Sequence, residues 1–534
     1  MLFDLFIPKK KSNLRRLIRG FYWCRSNNGF AAIRKLKNGL VDIVVESSPE
    51  NANFFFGSSA PNAEAVIRQC IYMLLGTGRL NNSLFESFAT NKSIAVVAPS
   101  AWRKYLVSNG LQINELKSSI LWQIYVWARV LRGVVFWHQL CLKLAFARVP
   151  KSIPLQPYGY LLHLSQSNLP TGDLESYDIC TFYARCSERN QSVYSIRHDV
   201  KGVKSAVAET LPVGYLPHPY ELPCGFKSSL RLTGWGIRAI IYALFQLLLG
   251  KSSLALLLAE ATKAKAVSLC HPKQLAVDYW FHFSGLVYRP MWTYEAEKLG
   301  AKISTYFYST YTQPTLAAGY ETYHYHLGPV NWPCYLVWNQ YQEDMMRREL
   351  GDKVKISQVG PIYFSDSYKT LPDLPNNTIA VFDIQPQRLS AFLPITTFAD
   401  CLASHPDFFH RFLIDVSEVI RELGGFTALK LKRNISRLGL RSYEGILNRL
   451  STDESVYMID PSIAALRVSA CCRATISVPF TSTAIIASTI GKPSIFYDPY
   501  GWTQPGDISA HGIQVICGKS ELVSWLGSIL NLDV

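Results

Sequence analysis

A hydroxyl-rich turn near the end of the chain carries residue types that bind anions. A short apolar strand is predicted to end at Pro479 and Phe480. Thr481, Ser482 and Thr483 then occupy the cap and first turn of the helix predicted to follow. Hydroxyl groups, unsatisfied backbone N–H groups and the helix dipole together attract a phosphate or a carboxylate. The alternative interpretation is plain capping of that helix by Thr481 or Ser482.

A basic segment lies at the end of another predicted strand, residues 427–431. Lys430 and Lys432 alternate with apolar residues, so we expect both ammonium groups on one face of the strand. Arg433 adds a third cation where the strand runs into a loop. Such a cluster suits a diphosphate or a phosphoester. A solvated edge strand is the alternative.

Two residues are candidates for a general base. His271 follows the apolar run 266–269, which predicts a strand, and would lie at that strand's carboxyl end. Glu46 holds the equivalent place after the predicted strand 41–45. A structural capping role is the alternative for His271. Three further side chains stay open as acids or bases: Glu295, Glu321 and His324.

The sequence contains no recognisable arrangement of metal ligands. It has no Asp-x-Asp motif and no Cys-x-x-Cys pair, and its 12 cysteines are scattered apart from the adjacent Cys471 and Cys472. Such cysteines are typical of reduced, buried thiols in a cytosolic protein. Lys, Arg, hydroxyl groups and a helix N-terminus would then stabilise an anionic leaving group. We therefore expect neither a metal nor a cofactor.

The second half of the chain alternates short strands with helices. From Asn376 onward this alternation predicts a parallel, doubly wound sheet. One predicted strand, 494–497, leads into an aromatic turn that contains Tyr500 and Trp502. Ligands of open parallel sheets bind at the carboxyl ends of the strands. Residues 376–534 are therefore predicted to be a Rossmann-like, ligand-binding domain.

The first half is less regular, but it also alternates β-rich runs with helices. A chain of 534 residues is too long for one hydrophobic core. Residues 41–370 are predicted to form a second Rossmann-like domain, followed by a linker rich in Pro and Asn at 371–377. The predicted fold class is α/β, with two Rossmann-like domains facing a cleft.

Positive charge and aromatic side chains dominate the composition. The net charge is +15, and 49% of residues are hydrophobic while 17% are charged, which excludes a disordered chain and favours an anionic partner. We expect no nucleic acid, because the sequence lacks its recognition motifs. The segments 120–149 and 237–258 mix basic, aromatic and apolar residues, typical of helices that lie on a membrane surface. Buried core helices are the alternative.

One stretch of the second half resembles a known family. Ser477–Pro499 resembles bacterial polysaccharide-biosynthesis proteins named for a Pro-Phe-Thr-Ser motif, which residues 479–482 match. It is similar, more distantly, to capsule-type transferases that use CMP-activated sugars such as Kdo. The close resemblance covers about the last third of the chain. It implies a GT-B-like fold in which Lys430 and Lys432 bind phosphate and Thr481–Thr483 form the donor-binding turn.

The sequence departs from related sugar-nucleotide enzymes at one place. Those enzymes often carry a carboxylate on the helix after the turn, where it can bind a ribose. Ile485 and Ile486 stand there in this chain. Recognition of the nucleotide must therefore differ, and the identity of the donor base stays open.

The resemblance implies a glycosyltransferase of surface-polysaccharide assembly, for O-antigen or capsule. It would be metal-independent and inverting, and would transfer a sugar from a nucleotide sugar to a glycan or lipid-linked acceptor. A CMP-linked acidic keto-sugar is one candidate donor. A basic amphipathic arm, residues 1–40, has the reverse polarity of a signal peptide, so we expect a cytoplasmic protein peripheral at the anionic inner membrane. The alternatives are a non-catalytic membrane-associated scaffold with the same fold and a sugar-nucleotide epimerase.

Overall fold

The computed structural model contains two α/β domains, each built around a largely parallel sheet. It describes residues 93–146, 156–170, 178–186, 193–202, 206–223, 225–282, 288–307, 330–361, 369–384, 386, 406–432, 440–503 and 506–531, and short segments of the first 87 residues. Outside the described residues lie Glu46, Glu321, His324, Arg433 and most of the predicted arm 1–40.

The sheet of the N-terminal domain has eight strands within the described residues. They are β1 Gly159–Leu162, β2 Ile196–His198, β3 Ala206–Ala208, β4 Leu211–Tyr215, β5 Asp278–His282, β6 Lys302–Tyr306, β7 Tyr335–Val337 and β8 Ile356–Gln358. Their spatial order is β3-β4-β2-β1-β5-β6-β7-β8, and neighbours are parallel except for β3 and β4. The strand order reverses between β1 and β5, so this pair is the topological switch point.

Helices pack on this sheet and bury its apolar side chains. They are α1 Asn53–Phe56, α2 Ala63–Leu75, α3 Ser100–Ser108, α4 Glu115–Phe146, α5 Ile179–Arg185, α6 Phe226–Leu248, α7 Ser252–Leu256, α8 Leu258–Val267, α9 Trp292–Lys298 and α10 Gln340–Leu350. One core cluster joins α2, α4, α6, α7, α8 and α9 to the aromatic side chains of β1 and β5. Burial of these aromatic and aliphatic side chains stabilises the domain.

The C-terminal domain repeats the same design. Its strands are β9 Thr378–Phe382, β10 Phe426–Lys430, β11 Val456–Ile459, β12 Ala474–Ser477, β13 Ser494–Asp498 and β14 Gln514–Cys517. Its helices are α11 Pro406–Glu422, α12 Arg441–Leu450, α13 Ala465–Cys471, α14 Ser482–Thr489 and α15 Gly518–Leu530. The order β11-β10-β9-β12-β13-β14 is fully parallel, and its switch point lies between β9 and β12. The predicted fold class, α/β with two Rossmann-like domains, is confirmed.

The two domains share an apolar cluster. Leu161 and Trp280 of the first sheet belong to the same buried cluster as Phe480 and Ile485 of the second domain. Asn339 and His511 add a polar contact, with the Asn339 Nδ2 and His511 Nδ1 atoms 2.9 Å apart. The turn before α14 therefore lies at the interface between the domains.

Two local predictions are wrong. The run 266–269 is the end of α8 and the turn after it, because the segment that leads into it, Leu258–Val267, is rich in Ala and Lys, which favour helix. The segment 237–258 is interrupted close to Lys251, Ser252 and Ser253, where its sequence is least apolar: α6 ends at Leu248, and Gly250 turns the chain with φ 75° before α7. The apolar run 94–98 also predicts a strand, but it forms only one bridge, between Ile94 and Ile113. No helix in the described ranges is both long and apolar enough to cross a membrane.

Candidate active site

The Pro-Phe-Thr-Ser segment forms a tight turn between β12 and α14. The hydroxyl of Thr481 donates to the carbonyl oxygen of Val478 at 2.8 Å. The hydroxyl oxygens of Ser477 and Thr483 are 2.7 Å apart, and those of Thr481 and Thr483 are 3.3 Å apart. The hydroxyl groups of Thr481 and Thr483 are therefore linked with that of Ser477 into one cluster at the start of the helix.

The first turn of α14 is not capped by the residue that precedes it. Thr481 occupies the cap position, and its side chain makes no hydrogen bond to the helix backbone. Plain capping by Thr481, the alternative interpretation of the sequence, is therefore wrong. Ser482 is the first helical residue and is partly exposed. A helix start with uncapped N–H groups and nearby hydroxyls can bind an anion.

Phe480 gives the turn its shape. Its φ of 62° lies in the left-handed region, which is uncommon for an aromatic residue and is often found at functional sites. Its ring is 2% exposed and lies 5.8 Å from the ring of Phe496. Pro479 is buried as well. The first two residues of the motif thus fix the backbone, while Thr481 and Ser482 supply groups that a ligand can reach.

The two predicted lysines have different surroundings. Lys430 ends β10, is buried, and donates from Nζ to the carbonyl oxygen of Pro461 at 3.2 Å. Lys432 is exposed. The ammonium group of Lys430 is thus held against the loop after β11, and Lys432 is the cation that a ligand can reach. Arg433 lies outside the described residues.

Asp383 is a site residue that the sequence analysis missed. It follows β9 at the switch point and is 5% exposed. Its Oδ1 atom accepts the backbone N–H of Lys432 at 3.3 Å, and its Oδ2 atom has no hydrogen-bond partner among the described residues. Burial raises the pKa of the Asp383 carboxyl to about 7, although the Lys432 N–H and the charges of Lys430 and Lys432 lower it. The only sequence signal was an acid directly after the apolar run 378–382.

The aromatic turn after β13 is organised by Asp498. The buried carboxylate accepts the N–H of Tyr500 at 3.0 Å and both the N–H and the hydroxyl of Thr503, at 2.6 and 2.7 Å. This holds the rings of Tyr500 and Trp502 in a stack with centroids 4.5 Å apart. Tyr500 is 44% exposed. The turn thus presents an aromatic face beside the sheet, and both carboxylate oxygens of Asp498 accept hydrogen bonds within the turn.

The absent ribose carboxylate has a structural explanation. Ile485 and Ile486 are 3% and 8% exposed and belong to the apolar cluster shared by the two domains. A carboxylate at either position would be buried there without water. This face of α14 therefore packs against the N-terminal domain, and any ribose must be bound by other residues.

His271 lies on the side of the sheet where the strands begin, opposite the carboxyl ends at which open parallel sheets bind ligands. It caps a short 3-10 turn, Pro272–Gln274, and its Nδ1 atom accepts the N–H of Lys273 at 3.2 Å. That turn precedes β5, and the Gln274 carbonyl accepts the hydroxyl of Tyr158, just before β1. The premise of a preceding strand was wrong, and the structure supports the capping alternative for His271.

Other histidines lie at the carboxyl ends of the strands of the N-terminal sheet, where open parallel sheets bind ligands. The register pairs Leu162 with Phe281, so His163 and His282 come side by side at the ends of β1 and β5, the switch point. His163 has a φ of 62° and an exposed side chain whose ring lies 5.9 Å from that of Phe281. Desolvation lowers the pKa of His163, and the charge of Asp199 opposes this effect. At neutral pH the ring is therefore a neutral proton acceptor.

Two further histidines follow the neighbouring strands. His198 ends β2, is 1% exposed, and accepts the Val200 N–H at Nδ1; burial lowers its pKa to about 4. His218 follows β4, with its Nε2 atom 3.6 Å from Oδ2 of Asp199. Burial lowers the pKa of His218, while Asp199 opposes this effect. These strands have three to five residues, too short for their ends to be predicted from apolar runs.

No group of three or more His, Cys, Asp or Glu side chains in the described part of the chain is arranged to hold a metal ion. At the switch point of the C-terminal domain, the charged and polar groups are Lys432, Asp383 and the uncapped start of α14. At the switch point of the N-terminal domain, they are the histidines.

A model of a known family matches residues 235–526, more than half of the chain, and is described as polysaccharide biosynthesis PFTS motif protein. The match begins within α6, well before the region that the sequence resemblance covered closely. No curated protein matches the sequence.

Two solved structures of the UDP-GlcNAc 2-epimerase of Methanocaldococcus jannaschii are similar at 10% identity. The first, in complex with UDP-GlcNAc and UDP, has a TM-score of 0.34 and covers 70% of this chain and 93% of that chain. The second has a TM-score of 0.35 and covers 71% of this chain and 93% of that chain. Similarity at this level indicates neither activity nor ligand.

Proposed function

The chain belongs to the polysaccharide-biosynthesis PFTS motif family, and from that premise we propose that it is a glycosyltransferase. It would transfer a sugar from a nucleotide-activated donor to a glycan or lipid-linked acceptor of a surface polysaccharide. The observation that carries the proposal is the turn before α14. This turn brings an uncapped helix start and linked hydroxyls to the end of β12, at the switch point where Asp383 also lies.

The C-terminal domain would bind the donor phosphates. Thr481, Ser482 and the start of α14 provide hydrogen-bond donors, and Lys432 provides an exposed positive charge. These groups would stabilise the negative charge that develops on the leaving phosphate without a metal ion. Their combined positive potential also suits an acidic sugar, so a CMP-linked keto-sugar is one donor to test.

The N-terminal domain would bind and activate the acceptor. We assign the general base to His163, since it lies at the switch point, is accessible and is neutral at pH 7. The His163 ring would accept the proton of the acceptor hydroxyl as its oxygen attacks the anomeric carbon. The bond from that carbon to the phosphate oxygen breaks, and its electron pair stays on the phosphate. This single displacement inverts the anomeric centre.

The experiment is ligand-induced thermal stabilisation with CMP, UDP, GDP and their common sugar conjugates, in buffer that contains a chelator. A ligand at about 100 times its dissociation constant should stabilise the fold by about 2.7 kcal/mol. We expect one nucleotide class to stabilise the protein, and Ser482→Ala and Lys432→Ala to remove that effect.

Two matched variants control for the substitutions. Ser488→Ala changes a serine at the other end of α14, and Lys353→Ala changes an exposed lysine before β8. Both should respond to nucleotide as the wild type does. Absence of stabilisation by every nucleotide would contradict the donor site. Stabilisation that needs a metal, or that the two control variants also lose, would contradict its assignment to this turn.

A further inference from the structure

A long apolar stripe is exposed along helix α4. Large hydrophobic side chains recur on it at intervals of three, four or seven residues, which keeps them on one face, and they lie 46 to 84% exposed. They are Leu116, Ile120, Ile124, Trp127, Leu131, Val135, Leu142 and Phe146. The stripe runs the length of the 32-residue helix, roughly 48 Å at 1.5 Å per residue.

Helix α6 carries a second exposed stripe of the same kind. Its members are 37 to 86% exposed and continue past the helix end to Leu249. They are Phe226, Leu230, Ile237, Ile241, Leu244, Phe245, Leu248 and Leu249. Most of the exposed large hydrophobic side chains of the described residues lie on these two helices.

Neither stripe is the face with which its helix packs on the domain. Trp122, Val126 and Val130 of α4 and Ala239 and Ala243 of α6 are buried in the main core cluster. Each helix is therefore apolar on its core face and again on a face directed away from that core. Contiguous exposed apolar surface of this extent is rare on soluble monomers and marks an interaction site.

The two helices lie antiparallel in direct contact. The Trp137 indole N–H donates to the Leu232 carbonyl at 3.2 Å, and the Ser229 hydroxyl donates to the Cys141 carbonyl at 2.8 Å. A Cβ on Gly236 would lie 1.9 Å from the Trp137 ring, so only glycine permits this approach. The stripes thus belong to one rigid helix pair.

The same helix pair is strongly basic. Five exposed cations border the stripes: Lys117, Arg132, Lys227, Arg231 and Arg238. Helix α6 contains no acidic residue, and the single acid of α4, Glu115, is paired with Arg103 at 2.8 Å. An apolar face bordered by cations matches the surface of an anionic bilayer, with acyl chains beneath phosphate headgroups.

We propose that α4 and α6 together dock the protein on an anionic lipid bilayer, with both helices parallel to the membrane plane. The exposed rings and aliphatic side chains would enter the boundary between headgroups and acyl chains, and the bordering cations would contact lipid phosphates. A second copy of the chain is a poorer occupant, because the facing surfaces would both be basic.

The surface leads to the acceptor side of the proposed active site. The Tyr220 ring stacks on His218 at 5.1 Å and meets Phe136 of α4 edge-on at 6.0 Å. Lys143, near the end of α4, pairs with Glu221 at 2.5 Å. A lipid-linked acceptor held in the bilayer would thus reach the ends of β2 and β4. This delivery of the acceptor rests on the proposed function, whereas docking on the membrane does not.

The experiment is co-sedimentation of the full chain with vesicles of phosphatidylcholine alone or with about 30% phosphatidylglycerol. We expect binding to the anionic vesicles that weakens as salt rises, and at least about tenfold weaker binding to neutral ones. The triple variant Trp127→Gln/Leu131→Gln/Ile241→Gln should lose about tenfold or more in partitioning, as should Arg132→Gln/Arg231→Gln/Arg238→Gln. All six positions are exposed, so the melting temperature should not change.

A matched triple variant changes exposed apolar residues elsewhere: Val207→Gln/Met458→Gln/Ile508→Gln. It should partition as the wild type does. Equal binding to both kinds of vesicle, or binding that survives the α4–α6 variants, would overturn the proposal. So would a dimer, seen by light scattering, that these variants dissociate while vesicle binding is absent. None of these results depends on nucleotide binding, so failure here is distinguishable from failure of the proposed function.

Discussion

The backbone N–H of Lys432 donates a hydrogen bond to Oδ1 of Asp383, which ties the end of β10 to the end of β9. The bond brings a buried carboxyl and an accessible cation together beside the switch point of the C-terminal sheet. It also leaves Oδ2 of Asp383 without a partner among the described residues. A buried carboxyl in such a place is costly when ionised, and this cost can be measured.

Asp383→Asn should stabilise the protein, and more so at high pH. The pKa of Asp383 is raised from 3.8 to about 7 in the folded chain, so stability is lost as pH rises through this window and the carboxyl ionises. Asparagine cannot ionise. The gain in unfolding free energy, measured by chemical denaturation, should be about 2 to 3 kcal/mol larger at pH 8 than at pH 5. Asp373→Asn, at an exposed position, should show no such difference. A gain in unfolding free energy for Asp383→Asn that is the same at both pH values would contradict the raised pKa of Asp383.

His163→Gln should lower kcat by about 100- to 10,000-fold and leave nucleotide affinity unchanged, because a general base acts on the acceptor only. The pKa of His163 lies below its ordinary value of 6.5, so wild-type activity should be constant at neutral pH and fall only in more acidic buffer. The measurement is steady-state transfer over a pH series. The comparison is His271→Gln, which changes an exposed histidine on the side of the sheet where the strands begin. Full activity of the His163 variant beside an inactive His271 variant would reverse the assignment.

Mild acid should destabilise the fold through two buried histidines. Burial lowers the pKa values of His198 and His282 from 6.5 to about 4. The unfolded chain therefore binds protons first, and stability falls as pH drops from 6.5 towards 4. Each histidine should contribute up to about 3 kcal/mol to this loss. The free energy of unfolding, measured by chemical denaturation at pH 7, 6 and 5, should fall less steeply with decreasing pH in His198→Asn and in His282→Gln than in the wild type. An unchanged pH dependence would show that the histidines are not buried in the neutral form.

Phe480→Ala should lower the free energy of unfolding by about 3 to 5 kcal/mol, because the ring fills the apolar cluster between the domains. It should also weaken nucleotide binding, since the ring anchors the turn that carries Thr481. Thermal unfolding with and without nucleotide measures both effects. Phe146→Ala, at a phenylalanine that is 84% exposed, should change neither.

The sequence predicted the C-terminal domain well because its strands and helices alternate in regular order. The apolar run that became β12, the Pro-Phe pair and the hydroxyls of Thr481 to Thr483 were all in their predicted places. The interpretation of Ile485 and Ile486 was incomplete, because only the structure shows that the opposite domain covers them.

The N-terminal domain was harder to predict for physical reasons. Its strand β2 has only three residues, and the helix Leu258–Val267, rich in Ala and Lys, extends into the run 266–269, where a strand was expected. Because of that error, His271 was predicted to be the general base. His163 could not be recognised from the sequence, because its position at the switch point depends on the pairing of β1 with β5. Asp383 was missed for the same reason: a buried acid is visible only when the neighbouring strand ends are known.

The most direct test of the central claim is to measure nucleotide release by the purified protein. The protein is incubated, in buffer that contains a chelator, with the sugar nucleotide that stabilises it, with and without a membrane extract that contains lipid-linked acceptors. The proposed transferase predicts release of nucleotide only with the extract, in a one-to-one ratio with glycosylated acceptor, and its loss in Ser482→Ala and His163→Gln. Conversion of the sugar nucleotide to an epimer without acceptor, or no turnover under either condition, would contradict it.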